Sequence, residues 1–201
     1  MNDSPAAPRS LSGRIVPRLF YILRRLGITI SPFLTVREGE SPSLLGVATA
    51  ELPSRFAGPD DIDGLMRLQP RQQREELASW LAGGKLCFLV ADGPKIVAKM
   101  WCDLEAFSYP PNYRILENDE AYLFAAYADP VYRGRNLAPL MRASCYEALS
   151  KIGRTRLYSY TDYFNTPARR FKAKLFARDE ALRVHIDLWG RWSRTFTLRR
   201  Y

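Results

Sequence analysis

The chain has 201 residues, of which 47% are hydrophobic and 25% are charged, which is enough for one globular domain with a full core. Its net charge of +9 favours anionic partners such as nucleotide phosphates, acidic carrier proteins, anionic lipid or nucleic acid. Three scattered cysteines and one histidine, His185, disfavour a disulfide framework, a metal site and a Ser-His-Asp triad, and a reducing, cytoplasmic location is expected.

The N-terminal segment combines apolar and basic residues at helical spacing. The apolar positions are Ile15, Leu19, Ile22, Leu23 and Leu26. Because four arginines interrupt them, residues 14–26 are predicted to form an amphipathic helix rather than a membrane span or a secretory signal. This helix either packs on the domain or touches an anionic membrane or an acidic carrier protein. Residues 31–48 are predicted to be a connecting segment, so that residues 1–48 precede a domain over residues 49–201.

After residue 48, strand and helix signals alternate along the chain. The predicted strands cover residues 48–57, 86–91, 95–104, 120–128, 156–160, 182–189 and 192–199. The predicted helices cover residues 62–68, 71–82, 137–152 and 165–175, and Cys145 lies on the apolar face of the third. A proline-rich loop is expected over residues 106–118. This order predicts a mixed α/β fold with a largely antiparallel first half.

The turn over residues 129–138 carries the strongest functional signal, because it joins the most apolar strand to a helix. Its polar and flexible residues are Arg133, Gly134, Arg135 and Asn136. Glycine lets the backbone approach a ligand closely, arginine adds positive charge, and Asn136 is predicted to cap the helix. A helix N-terminus presents unpaired amide groups, so the turn predicts a pyrophosphate site, with a plain solvated connection as the alternative.

At this turn the sequence resembles the GCN5-related N-acetyltransferase (GNAT) superfamily. Its acyl-coenzyme A motif, Arg/Gln-x-x-Gly-x-Gly/Ala, is matched as Arg133-x-x-Asn136-x-Ala138. A second segment of that superfamily, N-x-x-A-x-x-L-Y-x-K-x-G-F, is matched over residues 165–177. The resemblance extends over residues 50–199. Asn136 replaces a glycine of the motif, and Lys172 stands where many members carry the tyrosine that protonates the leaving thiolate.

The resemblance implies a GNAT-like fold, whose mostly antiparallel central sheet is splayed between strands 4 and 5 and carries helices on both faces. It implies transfer of an acyl group from an acyl-CoA, acetyl-CoA or longer, to a primary amine of a small molecule or peptide by direct attack. The implied cofactor-binding residues are Tyr127, Ala128, Arg133, Gly134, Arg135, Asn136, Leu137, Ala138 and Asn165.

The proton-transfer groups of such a reaction are open to several assignments. The candidate bases are Glu120, Asp103 and Glu105, each of which could instead be a solvated carboxylate at a strand end. The candidate acids are Tyr160 and Tyr163, for which core or rim packing is the alternative. His185 falls in a late strand and is interpreted as structural.

Several functional alternatives remain beside acyl-CoA-dependent transfer. The basic N-terminal helix is also compatible with long-chain transfer from an acyl-carrier protein (acyl-ACP), as in the N-acyl amino acid synthase branch of this fold. Lys172 at the tyrosine position suggests a non-catalytic acyl-CoA-binding module. Nucleic-acid binding is disfavoured, because no helix-turn-helix, RNP-like or zinc-finger spacing accompanies the charge. A homodimer and peripheral membrane contact through residues 14–26 are further partner hypotheses.

Overall fold

The computed structural model describes residues 20, 22–39, 52–109, 112–132 and 134–201. Within these ranges the strands are β1 (Ile28–Arg37), β2 (Ser54–Phe56), β3 (Leu86–Asp92), β4 (Lys95–Asp103), β5 (Ala106–Tyr109), β6 (Asn112–Ile115), β7 (Glu120–Ala128), β8 (Arg156–Asp162), β9 (Arg178–Leu188) and β10 (Trp192–Arg200). The α-helices are α1 (Ile62–Leu68), α2 (Arg74–Ala82), α3 (Leu137–Lys151) and α4 (Thr166–Lys174).

Eight of these strands form one sheet in the order β10-β9-β1-β8-β7-β4-β3-β2. Neighbouring strands are antiparallel except for β7 and β8, which run parallel. A parallel pair needs a crossover connection, and α3 supplies it. The predicted mixed α/β fold with a mostly antiparallel sheet is therefore confirmed.

Strand β1 contradicts the expectation that residues 31–48 form a connecting segment. It pairs with β8 and β9 inside the sheet, and its Phe33 and Leu34 are buried. Pro32 favoured a break, since proline cannot donate to a strand ladder. In the structure Pro32 lies at the end of the β1–β8 ladder, where its carbonyl accepts from the Tyr163 N–H at 3.0 Å. Because Pro32 lies at the end of this ladder, its missing N–H removes no hydrogen bond from the inside of the β1–β8 ladder.

The remaining N-terminal predictions fall largely outside the described residues. Residues 1–19 and 40–51 are not among them, and of the predicted N-terminal helix, residue 20 and residues 22–25 are described and helical. Because β1 belongs to the main sheet, residues 28–37 are part of the same folded unit as the later strands. No helix within the described ranges has the length and apolar character needed to cross a membrane.

Residues 106–118 are not a plain loop as expected. They contain the antiparallel hairpin of β5 and β6, in which Phe107 pairs with Arg114. The Phe107 ring lies 4.5 Å from that of Tyr122 on β7, so the hairpin covers part of the main sheet. Two adjacent prolines in this stretch masked the strand signal on either side of them.

Helices cover both faces of the main sheet, as the resemblance implied. On one face, Met141, Cys145 and Leu149 of α3 pack against alternate residues of β3, β4 and β7. On the other face, Leu65 of α1 and Leu77 of α2 pack against the intervening residues. Cys145 is fully buried, so its predicted place in the core is confirmed.

Candidate functional site

The turn after β7 exposes backbone in the left-handed conformation. Gly134 has a φ of 79° and Asn136 a φ of 57°. A Cβ atom built on Gly134 would meet no atom within 4 Å, so a ligand can approach the backbone there. Successive N–H groups in turns of this kind form concave anion-binding surfaces.

Helix α3 begins directly after the turn and adds further amide groups. The Leu140 N–H donates to the Asn136 carbonyl at 3.1 Å, and this is the first helical bond of the series. The amides of Leu137 and Ala138 precede it, at the positive end of the helix dipole. These amides lie where an anionic group would be stabilised.

Cationic side chains surround these amides. The exposed Arg135 guanidinium lies 5.7 Å from the ring centre of Tyr132, and the Lys174 ammonium donates to the Asn136 side-chain oxygen at 2.9 Å. The predicted contact Arg133 lies outside the described residues. Backbone amides and mobile cations together suit a diphosphate, which needs several donors and charge neutralisation.

The prediction that the Asn136 side chain caps α3 is wrong. Asn136 occupies the N-cap position but makes no capping hydrogen bond, and its side-chain oxygen binds Lys174 instead. Its left-handed backbone explains why asparagine can replace the glycine of the motif, since asparagine adopts this conformation more readily than most residues.

A gap opens between β7 and β8, which confirms the predicted splay. The two strands pair only as far as Leu123 and Ser159. Beyond this pair, β7 shifts its register against β4 before Tyr127, and Ala125 has a φ of 46°. Such a bulge bends a strand away from its neighbour. Tyr127 and Ala128 pair with β4 on one side, so their other main-chain edge borders the gap.

On the β8 side, the main-chain groups of Tyr160 also border the gap. The Leu157 carbonyl accepts from the N–H of Glu38, the residue directly after β1, at 2.8 Å, and alternate residues of a strand bond to opposite neighbours. Tyr160 therefore directs its backbone towards β7. Its ring stacks on that of Tyr122 at 6.1 Å, and burial raises the pKa of the Tyr160 hydroxyl, partly offset by a hydrogen bond with Tyr122.

Two further predicted site residues lie beyond the end of β8. Tyr163 is partly exposed, with the Arg169 guanidinium 5.1 Å from its ring centre. Asn165 accepts a hydrogen bond from the Ala168 N–H at 3.1 Å through its side chain and thereby caps α4. The cofactor contact of Asn165 and the acid roles of Tyr160 and Tyr163 stay predictions.

Glu120 is not the solvated carboxylate considered as one alternative. Its side chain is buried, forms an ion pair with Arg114, lies 3.5 Å from Arg156 and accepts from the Glu117 N–H at 3.0 Å. Burial raises the pKa of Glu120, but the hydrogen bonds from Arg114 and from the Glu117 amide lower it further, below its ordinary value. A carboxylate held in its charged form in this way is poorly suited to take up a proton.

The other candidates from the sequence analysis are dispersed. Asp103 is buried, forms an ion pair with Lys85 and accepts from two backbone N–H groups at 2.9 and 3.0 Å, so it closes the turn after β4. Glu105 is exposed, and His185 on β9 has its Nδ1 3.3 Å from the Thr195 hydroxyl. Within the described ranges, no three His, Cys, Asp or Glu side chains converge as a metal site.

At the inner end of the gap lies a buried ionic cluster that the sequence analysis missed. We call it the Glu38 cluster; its members are Glu38, Arg142, Tyr146, Ser159 and Lys172. Glu38 accepts hydrogen bonds from Arg142, Tyr146 and Ser159. The available signal was Arg142, which interrupts the apolar face of α3.

Lys172 of α4 completes the Glu38 cluster. Its ammonium lies 3.6 Å from the Glu38 carboxylate and donates to the Ser159 hydroxyl at 2.6 Å, to the Tyr160 carbonyl at 3.1 Å and to the Thr161 hydroxyl. Burial lowers the pKa of Lys172 to about 7, with Arg142 acting in the same direction and Glu38 against it. The cluster thus contains two cationic side chains and one carboxylate.

A cavity of about 280 Å³ lies between the β5–β6 hairpin and strands β1, β8 and β9. Its lining includes Phe107, Tyr158, Glu180 and Arg183. No hydrogen bond or ion pair joins the side chains of Glu180 and Arg183 to another described residue, and the Nε atom of Arg183 is buried without a partner. Arg114, which is paired with Glu120, also lines the cavity, so the lining has one carboxylate and two cations.

A sheet splayed between two parallel strands, with an anion-binding turn at the open end of the gap, is the arrangement of a GNAT-type fold. The profile of the acetyltransferase (GNAT) family matches residues 50–176, which is more than half of the chain. The chain belongs to this family. No curated protein matches the sequence significantly.

Solved structures share the fold at low identity. A GNAT-family acetyltransferase from Novosphingobium aromaticivorans is 16% identical with a TM-score of 0.57, covering 81% of this chain and 66% of that one. One from Colwellia psychrerythraea is 14% identical with a TM-score of 0.58, covering 80% and 57%. The ribosomal-protein-S18-alanine N-acetyltransferase from Escherichia coli is 19% identical with a TM-score of 0.50, covering 61% and 75%. The chain spans less than two thirds of the length of the first two proteins.

Proposed function

We propose that the protein transfers an acyl group from an acyl-CoA to a primary amine of a small molecule or peptide. The observation that carries this proposal is the position of the anion-binding turn at the open end of the gap between β7 and β8. The amides from Gly134 to Ala138, with Arg135 and Lys174, would bind the diphosphate. The arm that bears the thioester would follow the main-chain edge at Tyr127 and Ala128.

The cavity beside the hairpin is the proposed acceptor site. Its aromatic walls and its two unpaired charges, Glu180 and Arg183, suit a small polar amine. The amine nitrogen must lose a proton as it attacks the thioester carbonyl. Glu180 is better suited than Glu120 to accept it, because among the described residues no arginine forms an ion pair with Glu180. The Escherichia coli enzyme of similar fold is named as an N-acetyltransferase of an alanine, whose amino group is likewise an amine acceptor.

Calorimetry with CoA and acetyl-CoA tests the donor half of this proposal. Arg135→Glu should weaken binding of both by more than about tenfold, since it replaces a cation beside the diphosphate with an anion. Arg71→Glu, at an exposed position between α1 and α2, makes the same charge change elsewhere and should leave the affinity unchanged. Absence of binding to the wild-type protein, or equal effects of the two variants, would refute the donor site.

Acyl-ACP is a second candidate donor, favoured by one observation. Arg169, Arg170 and Lys174 are exposed on α4 beside the gap, and a cationic surface attracts an acidic carrier protein. The donor can be identified by measuring turnover at one amine concentration with acetyl-CoA, with a long-chain acyl-CoA and with acyl-ACP. Turnover with short acyl-CoA alone would exclude acyl-ACP as the donor.

The protein could instead be a module that binds acyl-CoA without catalysis. Tight binding of CoA, with no release of thiol from acyl-CoA in the presence of a mixed panel of amines, would indicate this function.

A further inference from the structure

The gap between β7 and β8 has an outer and an inner end, and Lys172 lies at the inner one. The outer end is the anion-binding turn after Ala128, and the inner end is the last strand pair, Leu123 with Ser159. The Lys172 ammonium contacts the hydroxyl of Ser159, a member of that pair, and the carbonyl of the next residue, Tyr160. A CoA arm anchored at the turn and extending inward would therefore bring its sulfur towards Lys172.

The last turn of helix α4 contacts both the anion-binding turn and strand β8. The Lys174 ammonium binds the Asn136 side chain at the turn, while the Lys172 ammonium binds the backbone of Tyr160 on β8. Lys172 and Lys174 thus border the same gap, one buried and one exposed. The exposed Lys174 ammonium can bind the phosphates of CoA, and the buried Lys172 ammonium can bind an anion deeper in the gap.

Lys172 shares its carboxylate, Glu38, with Arg142. Arg142 binds both oxygens of Glu38 through two guanidinium nitrogens, and Tyr146 and Ser159 donate to the same carboxylate. Asp179 of β9 attracts Lys172 only weakly. Two buried cations thus share one carboxylate, and an anion arriving at this point would offset the excess positive charge.

We propose that the Lys172 ammonium binds the sulfur that leaves the acyl donor and supplies its proton. This inference rests on the proposed acyl transfer. The amine nitrogen forms its bond to the carbonyl carbon as the carbon–sulfur bond breaks, and that electron pair goes to sulfur. Lys172 then gives one proton to the thiolate and becomes a neutral amine. The proton lost by the attacking amine passes to a base or to water, and Lys172 is reprotonated from solvent.

Two properties of the site support this role. The hydroxyls of Ser159 and Thr161 can rotate, so Lys172 can redirect a donor from one of them to sulfur without breaking its bond to the Tyr160 carbonyl. Its lowered pKa means that the neutral form is accessible near neutral pH, as a proton donor requires.

The first test compares binding of CoA with that of its desulfo analogue, which lacks the sulfur atom. Calorimetry at neutral pH should show that the wild-type protein prefers CoA by about tenfold, since the Lys172 side chain can share a proton with the sulfur of CoA and the analogue has no sulfur. Lys172→Met should abolish this preference while its affinity for the analogue stays unchanged. Arg135→Glu should weaken both ligands equally. An unchanged preference in Lys172→Met would overturn the assignment, whereas binding of neither ligand by the wild-type protein would instead refute the proposed function.

The second test uses Lys172→Arg, which keeps the positive charge but does not release a proton. This variant should retain the preference for CoA over the analogue, but its turnover should fall by about 100-fold. In the wild-type protein, activity should decline at alkaline pH as Lys172 loses its proton, and this decline should be absent from the variant. Lys151→Met, at an exposed position on α3, is the matched control and should behave as the wild type. Wild-type turnover and an unchanged pH profile in Lys172→Arg would contradict the proton transfer.

Discussion

Among the described residues two glutamates are buried, and their surroundings differ. Glu120, at the start of β7, is contacted by Arg114 and Arg156, whose side chains are 45% and 33% exposed. Glu38, at the end of β1, is contacted by Arg142 and Lys172, whose side chains are 3% and 7% exposed. The first carboxylate meets partly hydrated cations, and the second meets cations that have lost their water.

Glu120 therefore belongs to a structural network of ion pairs, whereas Glu38 lies in a cluster with excess positive charge at the proposed site. Arg156 also binds Glu117 at 2.6 Å and Asp119 at 2.7 Å, so acidic side chains balance the arginines around Glu120. Around Glu38 the cations outnumber the carboxylate at the inner end of the gap. Burial of a carboxylate alone therefore does not identify a catalytic group; the balance of charges around it is more informative.

Glu38→Gln should have the largest effect on stability. It leaves two buried cations without a carboxylate, so the free energy of unfolding should fall by about 3–5 kcal/mol. Urea denaturation measures this loss, with Glu75→Gln at an exposed position of α2 as the control. A loss as small as that of the control would show that the Glu38 cluster is hydrated.

Lys172→Met should change how stability depends on pH. The folded pKa of Lys172, about 7, lies below the ordinary value of about 10.4, so between these values the unfolded chain binds more protons. The free energy of unfolding of the wild-type protein should therefore rise with pH in this window, by up to about 1.4 kcal/mol per pH unit more than that of the variant.

Urea titrations of both proteins from neutral pH to about pH 9 check this slope. The groups that act on Lys172 are Glu38 directly after β1, Arg142 of α3, Ser159 and Thr161 of β8 and Asp179 of β9. All of them remain in the variant, so their direct contributions largely cancel in the comparison. Parallel curves for the two proteins would mean that Lys172 keeps an ordinary pKa.

Glu120→Gln should have the smallest effect. Its arginine partners reach water, so the free energy of unfolding should fall by about 1–2 kcal/mol. If its role is structural, kcat/KM with acetyl-CoA and an accepted amine should stay within about threefold of the wild type, whereas Glu180→Gln should lose about 100-fold. A loss of 100-fold or more in Glu120→Gln alone would instead restore Glu120 as the general base.

Local features of the site could be predicted from the sequence. The run of eight apolar and aromatic residues in β7, the turn at Gly134 and the apolar face of α3 can each be recognised from neighbouring residues alone. The structure has β7 over the predicted residues, Glu120–Ala128, and α3 within one residue of its predicted end. Short-range signals in the sequence are enough to predict an element where the hydrophobic periodicity and the turn residues indicate the same boundaries.

Longer-range features could not be predicted in this way. Prolines concealed β1 and the β5–β6 hairpin, because a proline counts against a strand unless it falls at a ladder end or in the connecting turn. Glu120 and Asp103 looked like accessible carboxylates because the sequence does not show which arginine or lysine will lie beside them. Glu180 was missed for the corresponding reason, since it lines the cavity only once the hairpin has folded over the sheet.

The amino-acid sequence by itself determined the mixed α/β order of elements and the anion-binding turn, because both arise from contacts between residues close along the chain. Only the tertiary structure decided which charges are buried together. Glu38 and Arg142 are 104 residues apart and meet because β1 inserts between β8 and β9, below α3 and α4. That insertion removes their water and places Lys172 at the inner end of the gap, where the surplus positive charge can act on a ligand.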